Sequence, residues 1–358
     1  MKTIEVLVVD DSAFMRKMIS NILNADSRMR VVGIAPNGEE ALAKVQSLKP
    51  DVITLDVEMP VMDGISTLKR LMSEHPIPVV MLSSLTSKGA EKTLQAISLG
   101  AVDFIEKPSG SISLDIQKIE KEIQSKVFAA ANANVKPSAP RETLRKRPEI
   151  TIRPQSVGTL DKVIVGIGTS TGGPRALQQV LTQIPKNFPA PIVVVQHMPP
   201  GFTKSLAERL NTLSDIQVKE AQNGERLENG VAYIAPGGYH LRVRKIGSTL
   251  AAHLDQDEPR SGHRPSVDTL FESLAEQNVC KVISVIMTGM GADGSKGLKL
   301  IKQKHPSSIS IAESERTSVV YGMPQAAFKT NLVDHVEDVD AISHSLVQQI
   351  EKVMRRSQ

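Results

Sequence analysis

Aromatic residues and cysteine are scarce in this chain of 358 residues. It contains no Trp, three Tyr and one Cys. Because proteins that bind single-stranded nucleic acids stack the bases on aromatic side chains, this composition argues against that class. One cysteine cannot form a disulfide framework, which favours the cytoplasm as the compartment. The sequence also lacks an unbroken apolar run of the roughly 18 residues that a membrane-spanning helix needs.

The first residues, "MKTIEVLVVDD", turn acidic after one short apolar run. This pattern differs from that of a signal peptide, in which a basic start precedes a longer apolar segment. We therefore expect a cytoplasmic protein without direct insertion into a membrane.

The net charge of +4 is concentrated in one region. Residues 134–156 contain six Lys or Arg and two Glu, an excess equal to that of the whole chain. The region is rich in Pro and poor in large apolar residues, so it predicts an extended linker, placed at 129–158. A DNA-binding arm is the alternative. Because the C-terminal half is neutral and offers no basic recognition helix, we expect no nucleic-acid partner.

Apolar runs alternate with helical patterns on both sides of the linker. In residues 1–128, five short apolar runs each precede a helical pattern, which predicts a doubly wound (βα)5 domain with a parallel sheet. In residues 159–358, the alternation recurs around "KVIVGIG", "PIVVVQH", "KVISVIMTG" and "SSISIAES". The segment "NGVAYIAPGGYHLRVRKIGSTLAAHLDQ" instead indicates turns and hairpin strands. We therefore predict a second α/β domain, with a parallel sheet and a small antiparallel extension.

Polar side chains end the predicted strands of the first domain. They are Asp10, Asp11, Asp56, Ser83 and Lys107. Because the carboxyl ends of parallel strands meet at one edge of a sheet, we expect these side chains to share a crevice. Three close carboxylates repel one another unless a cation lies among them, and a site with only oxygen ligands suits Mg²⁺. For each residue taken alone, a solvated charge at a strand end is the alternative.

The motifs "VVDDS", "TLDVEMPVMDG", "MLSS" and "EKPSG" resemble those of response-regulator receiver domains. The resemblance covers residues 3–125 and implies that Asp56 accepts a phosphoryl group from a sensor histidine kinase. It also implies that Asp10, Asp11 and Asp56 hold Mg²⁺. It further implies that the phosphoryl group is sensed by Ser83, Lys107 and Phe104. Phe104 matches the position of an aromatic residue that often reorients when these domains are activated.

The stretch "GIGTSTGGPRAL" lies between a predicted strand and a predicted helix. A dinucleotide site needs G-x-G-x-x-G, with an acidic residue at the end of the next strand. Here Thr171 occupies the third glycine position, and the next strand ends in His197 without a carboxylate. Residues 168–172 instead match G-x-S-x-G, in which glycines allow the sharp turn that exposes a nucleophile, Ser170.

A serine nucleophile needs a base, and the base needs an orienting acid. His197 ends the strand that follows Ser170, and Asp293 lies in the glycine-rich turn "TGMGADG". Backbone amides of that turn are candidates for stabilising an oxyanion. Asp293 also fits the N-cap of the helix that follows it. Alternative bases are His240, His253 and His263.

Six motifs of the second half resemble the catalytic domain of the chemotaxis protein-glutamate methylesterase (CheB) family. They are "GTSTGGP", "VVQHMPPGFT", "AYIAPGGYHL", "GHRPSVDTLF", "IMTGMGADG" and "SVVYGMPQAA". The resemblance implies Ser170 as nucleophile, His197 as base and Asp293 as orienting acid. It also implies a Met290 backbone amide in the oxyanion hole and no cofactor in this site. The implied reaction removes methyl esters from glutamyl residues of membrane chemoreceptors, releases methanol, and extends to deamidation of selected glutamines.

The two resemblances together imply a phosphorylation-activated enzyme of chemotactic adaptation that is recruited to membrane receptor arrays. One rival is a phosphorylation-controlled binding protein whose second domain catalyses nothing. Another is a receiver-linked transcription factor. The latter needs a basic recognition helix, which the neutral second half does not offer.

Overall fold

The computed structural model describes residues 2–84, 86–107, 116–134, 162–247, 249–278 and 280–356. The chain divides into two units, Met1–Arg145 and Lys146–Gln358. Most of the predicted linker, residues 135–158, lies outside the described residues. Within the described ranges, no helix combines the length and the apolar character needed to span a membrane.

One parallel sheet organises the described part of the first unit. Its strands are β1 (Ile4–Val9), β2 (Met29–Ala35), β3 (Val52–Asp56), β4 (Val79–Ser83) and β5 (Asp103–Glu106). The helices are α1 (Ala13–Asn24), α2 (Gly38–Leu48), α3 (Gly64–Glu74), α4 (Ser87–Leu99) and α5 (Ile116–Ala131). The order of the strands is β2-β1-β3-β4-β5, which confirms the predicted doubly wound fold. Helix α5 ends at Ala131, beyond residue 128, which is the predicted end of the first domain.

Local sequence signals determine where the helices of this unit begin. Ser12, Asn37, Asp63 and Thr86 are N-caps, and each side chain accepts a hydrogen bond from the backbone N–H three residues later. The strands β3 and β4 are buried along their whole length, as expected for the centre of a parallel sheet. Because the strands are parallel, each of them leads into a loop at the same edge of the sheet.

The second unit contains the remaining strands and helices. The strands are β6 (Lys162–Thr169), β7 (Ile192–Gln196), β8 (Gln217–Glu220), β9 (Val231–Ile234), β10 (His240–Ile246), β11 (Thr249–Asp255), β12 (Cys280–Ile286), β13 (Ile309–Glu313) and β14 (His335–Glu337). The helices are α6 (Gly173–Leu181), α7 (Phe202–Leu213), α8 (Val267–Ala275), α9 (Ser295–Lys304), α10 (Met323–Phe328) and α11 (Val339–Arg356). Seven strands form a parallel sheet in the order β14-β13-β12-β6-β7-β9-β8. This arrangement confirms the second predicted α/β domain.

The small antiparallel extension is confirmed as the pair β10 and β11. The segment that precedes it differs from the sequence prediction, because "VAYI" forms β9 and pairs in parallel with β7. All residues of β9 are buried. This segment therefore belongs to the core of the parallel sheet. A four-residue apolar run does not indicate with which strand it will pair.

Two glycines of β6 allow close packing of helix α8. A Cβ atom built on Gly166 would lie 2.6 Å from Leu274 Cδ1, and one built on Gly168 would lie 2.2 Å from Val267 Cγ1. The first glycines of "GIGTSTGG" therefore serve contact between a strand and a helix. As a consequence, α8 begins directly beside the carboxyl end of β6, which lies between β7 and β12.

Candidate active site

Ser170 lies at the turn between β6 and α6. Its backbone N–H donates to Thr288 O at 3.0 Å, and its carbonyl accepts from Gly173 N at 2.7 Å. Gly172 has a φ of 78°, a left-handed conformation that favours glycine. These contacts fix the turn on both sides of Ser170, whose side chain stays partly exposed.

His197 follows β7, the strand next to β6. Its backbone N–H donates to Thr169 O at 3.2 Å. The buried amide of Gln196 donates from Nε2 to Ser170 O at 3.0 Å and to His197 O at 3.1 Å. The turn that carries Ser170 and the turn that carries His197 are therefore held together by one side chain.

The His197 imidazole pairs with the Asp293 carboxylate. Nε2 of His197 lies 2.8 Å from Oδ2 of Asp293, and the two side chains are only 6% and 3% exposed. Nδ1 of the same ring is buried and has no hydrogen-bond partner among the described residues. With Nε2 donating to the carboxylate, Nδ1 is the unprotonated nitrogen and is free to accept a proton.

The carboxylate of Asp293 also caps helix α8. Oδ2 accepts from Val267 N at 2.7 Å, and Oδ1 accepts from Asp268 N at 2.9 Å and from Ser266 Oγ at 3.0 Å. Burial opposes ionisation, but the bonds from His197 and from these amides outweigh it and hold the pKa of Asp293 well below its usual range. Asp293 is therefore a fixed negative charge.

The prediction that Asp293 caps the helix following it needs correction. The N-cap of α9 is Gly294, which has no side chain to offer. Asp268 in the first turn of α8 supplies the cap, because its Oδ1 accepts from Gly294 N at 2.9 Å and from Gly297 N at 2.8 Å. At this helix start, Asp293 Oδ1 accepts only from Gly294 N, at 3.0 Å. The N-termini of α8 and α9 lie side by side. Asp293, which precedes α9, therefore accepts from the first amides of α8, and Asp268, in the first turn of α8, accepts from those of α9.

The other three candidate bases, all histidines, occupy different environments. His240 is buried, and its Nε2 lies 3.1 Å from Glu258 O. His253 Nε2 lies 4.0 Å from Asp255 Oδ2. His263 stacks on His197, with 3.8 Å between the ring centroids and 9° between the planes. Of the candidate bases, His197 is the one that pairs with Asp293, and His263 covers one face of its ring.

The segment after Thr288 lies against Ser170. A Cβ atom built on Gly289 would lie 2.7 Å from Ser170 Cβ, and Gly291 has a φ of 86°. The Gly289 N–H is used by Val320 O at 3.1 Å. The N–H of Met290, by contrast, has no acceptor among the described residues. It is therefore available to an oxygen bound next to Ser170.

The carboxylates at the sheet edge of the first unit form a cluster. Oxygen atoms of Asp10, Asp11 and Asp56 lie within 4.8 Å of one another, a donor set that fits a hard divalent cation. Lys107 Nζ lies 2.8 Å from Asp10 Oδ2 and 2.8 Å from Asp56 Oδ2. Burial raises the pKa of Asp56 to about 6, even though Lys107 opposes the shift. Arg16 Nη1 donates to Asp10 O at 2.7 Å and supports the acidic loop.

Ser83 and Phe104 are both buried in the first unit. Ser83 Oγ accepts from Thr93 Oγ1 at 2.7 Å and lies 3.3 Å from Gly89 O, so its hydroxyl is bound to helix α4. The Phe104 ring lies 5.1 Å from Lys126 Nζ. Among the described residues, the Ser83 hydroxyl therefore makes no hydrogen bond to Asp56. The Phe104 ring has no polar atom with which to form one.

Several residues that shape the candidate active site were not predicted from the sequence. Gln196 ends β7 and Thr288 follows β12, the two strands on either side of β6, and this position was the available signal for both. Asp268 lies in the motif "GHRPSVDTLF", whose pattern does not indicate a separate role for this residue. His263 was treated only as a rival base, because the stacking of two rings depends on a loop that sequence does not fix.

Family comparisons cover both units. A family profile described as "CheB methylesterase" matches residues 165–346, and one described as "Response regulator receiver domain" matches residues 6–119. The matched ranges contain all the candidate residues described above.

Individual relatives match almost the full length. A protein from Halalkalibacterium halodurans named protein-glutamate methylesterase/protein-glutamine glutaminase is 55% identical over 350 residues, which cover 98% of this chain and 99% of the relative. A Bacillus subtilis protein of the same name is 50% identical over 355 residues, with 98% and 99% covered. The crystal structure of the Thermotoga maritima CheB methylesterase catalytic domain matches with a TM-score of 0.51 and 45% identity, covering 53% of this chain and 100% of that one. The chain therefore belongs to the CheB methylesterase family and carries a response-regulator receiver domain in its first unit.

Proposed function

We propose that this protein removes methyl esters from glutamyl residues of methylated membrane chemoreceptors, with Ser170 as nucleophile, His197 as base and Asp293 as orienting acid. The observation that carries the proposal is the pairing of His197 Nε2 with an ionised Asp293, which leaves Nδ1 without a partner in a residue whose backbone N–H is bonded to Thr169, next to Ser170. The methylesterase names of the relatives support the choice of substrate.

The reaction proceeds through an acyl-enzyme. His197 Nδ1 takes the proton of the Ser170 hydroxyl as Oγ attacks the ester carbonyl, and the Met290 N–H donates to the oxygen that becomes negative. The C–O bond to the methoxy group then breaks, and methanol leaves with the proton from His197. Water attacks the acyl-enzyme with His197 again as base, which releases the glutamate and regenerates Ser170. Asp293 stabilises the imidazolium in both steps.

The same residues deamidate selected receptor glutamines. An amide carbonyl is attacked in the same way, and ammonia leaves in place of methanol. The relatives carry the name protein-glutamine glutaminase beside the esterase name, which supports this second substrate class.

Phosphorylation of the first unit activates the enzyme. Asp56 accepts the phosphoryl group from a chemotaxis sensor histidine kinase. Asp10, Asp11 and Asp56 would hold Mg²⁺, which would supply positive charge to the phosphoryl oxygens when bound. Lys107, already 2.8 Å from Asp56, pairs with a phosphoryl oxygen.

Ser83 and Phe104 sense the phosphoryl group. The Ser83 hydroxyl exchanges its bonds to helix α4 for one to the phosphoryl group, and Phe104 reorients with it. The protein acts in the cytoplasm and is recruited to the membrane arrays that contain its receptor substrates.

Removal of the nucleophile tests the reaction itself. Ser170→Ala is expected to lower methanol release from methylated receptor by on the order of 10⁶-fold, because no other group forms the acyl-enzyme. Ser205→Ala, which changes a serine on helix α7, is the matched control and should release methanol at the wild-type rate. Equal release by wild type and Ser170→Ala would contradict the proposal.

Replacement of the orienting acid separates its two tasks. Asp293→Asn is expected to lower kcat by ~10⁴-fold, because an amide cannot accept from both His197 and the α8 amides. Asp268→Asn removes a charge from the reciprocal cap and is the control. Both variants should lose about 1–2 kcal/mol of the free energy of unfolding in urea titrations, since each weakens a helix cap. A kcat for Asp293→Asn within threefold of that of Asp268→Asn would exclude the orienting role.

Activation is tested on the full chain with a phosphoryl analogue. Beryllofluoride with Mg²⁺ should raise methanol release by wild type by about 5- to 150-fold, the range of ordinary allosteric coupling. Asp56→Asn and removal of Mg²⁺ by a chelator should each abolish the increase. Asp51→Asn, at the opposite end of strand β3, should retain it. An increase that persists in Asp56→Asn would refute Asp56 as the acceptor.

A further inference from the structure

Thr288 is a junction of hydrogen bonds behind the active site. Its carbonyl accepts from Ser170 N and from Thr169 Oγ1, both at 3.0 Å. Its hydroxyl donates to Thr171 O at 2.9 Å and accepts from Val320 N at 3.0 Å. The position of Thr288 therefore determines the positions of the residues on both sides of Ser170.

The backbone N–H of Thr288 is held by a second buried carboxyl group, that of Glu313. Glu313 is the last residue of β13, the strand next to β12, and is 1% exposed. Its Oε2 accepts from Thr288 N at 2.8 Å, and its Oε1 accepts from Thr317 Oγ1 at 3.0 Å. In the part of the chain that the structure describes, no cation pairs with it.

We propose that Glu313 is a positioning residue for hydrolysis, which acts through Thr288 to hold the Ser170 turn and the segment that carries the Met290 N–H. This inference rests on the proposed role of Ser170 as nucleophile. Glu313 is separate from the triad acid, because Asp293 contacts His197 and helix α8, whereas Glu313 contacts the strand end that supports Ser170.

The environment of Glu313 supports a specific role. A buried carboxyl group without a cation is unfavourable unless hydrogen bonds hold both of its oxygens, as they do here. Burial raises the pKa of Glu313 to about 7, and the bonds from Thr288 and Thr317 limit the rise. An apolar side chain at this site would avoid the cost of burial, so the contact with Thr288 explains why an acid is present.

The expected consequence of losing this contact is a fall in kcat. Gly289 and Met290 follow Thr288 directly, and Gly289 lies against Ser170 Cβ. A shift of Thr288 therefore displaces both the nucleophile and the oxyanion donor. Misplacement of reacting groups by about 1 Å can cost ~10²-fold in rate. Binding of the receptor substrate does not involve Glu313, so KM should stay within about twofold.

Three substitutions in the full chain test the proposal. Glu313→Leu removes both acceptors at similar size, Glu313→Asp keeps the carboxyl group but retracts it by one C–C bond of about 1.5 Å, and Glu313→Gln keeps an acceptor for Thr288 N. Glu337→Leu is the control, since Glu337 is the register neighbour of Glu313 on β14 and is only partly buried. Methanol release is normalised to the sites that react with a fluorophosphonate, which counts folded, competent Ser170.

We expect Glu313→Leu and Glu313→Asp to lower kcat per site by ~10²-fold, with KM nearly unchanged. Glu313→Gln should stay within threefold of wild type, and Glu337→Leu should equal wild type. If Glu313→Leu does not fold, the Asp and Gln variants decide. Wild-type kcat per site in Glu313→Asp, or a loss in Glu313→Gln as large as in Glu313→Asp, would overturn the proposal. Activity that persists in Ser170→Ala would instead refute the proposed nucleophile, so the two failures are distinguishable.

Discussion

The candidate active site depends on the buried carboxylate of Asp293. Asp293 accepts from His197 Nε2 and from the first amides of helix α8, and its charge is stabilised by both. Removal of either partner would leave a buried anion with too few donors, which is costly in a protein interior. The orientation of the imidazole and the start of α8 are therefore coupled. Through Val267, α8 in turn packs on Gly168, two residues before Ser170.

The parallel sheet brings the residues of the candidate active site together. β6 lies between β7 and β12, so the turns that follow these three strands carry Ser170, His197 and Asp293 to one edge. Main-chain hydrogen bonds between the strand ends, and the amide of Gln196, hold the turns in register. The first unit uses the same edge of its own sheet for the carboxylates around Lys107. In both units, the candidate functional residues lie where parallel strands end.

The sequence was informative about features that are local. Strand ends and the turn around Ser170 follow from short patterns, and the predicted strands of both sheets are present, whereas the one predicted helix cap, Asp293 on α9, was wrong. Contacts between distant segments were not predictable in this way. The capping of α8 by Asp293, the bond from Thr288 to Glu313 and the pairing of β9 with β7 each join residues whose proximity arises only after the sheet has formed. The stacking of His263 on His197 likewise depends on the course of a loop.

The central claim is that His197 binds Asp293 through Nε2 and presents Nδ1 to Ser170. The ¹⁵N chemical shifts of the His197 ring in the full chain, measured on the neutral imidazole, test it most directly. We expect a protonated Nε2 and an unprotonated Nδ1, with loss of this preference in Asp293→Asn. A proton on Nδ1 in the wild-type protein would contradict the assignment of His197 Nδ1 as the base.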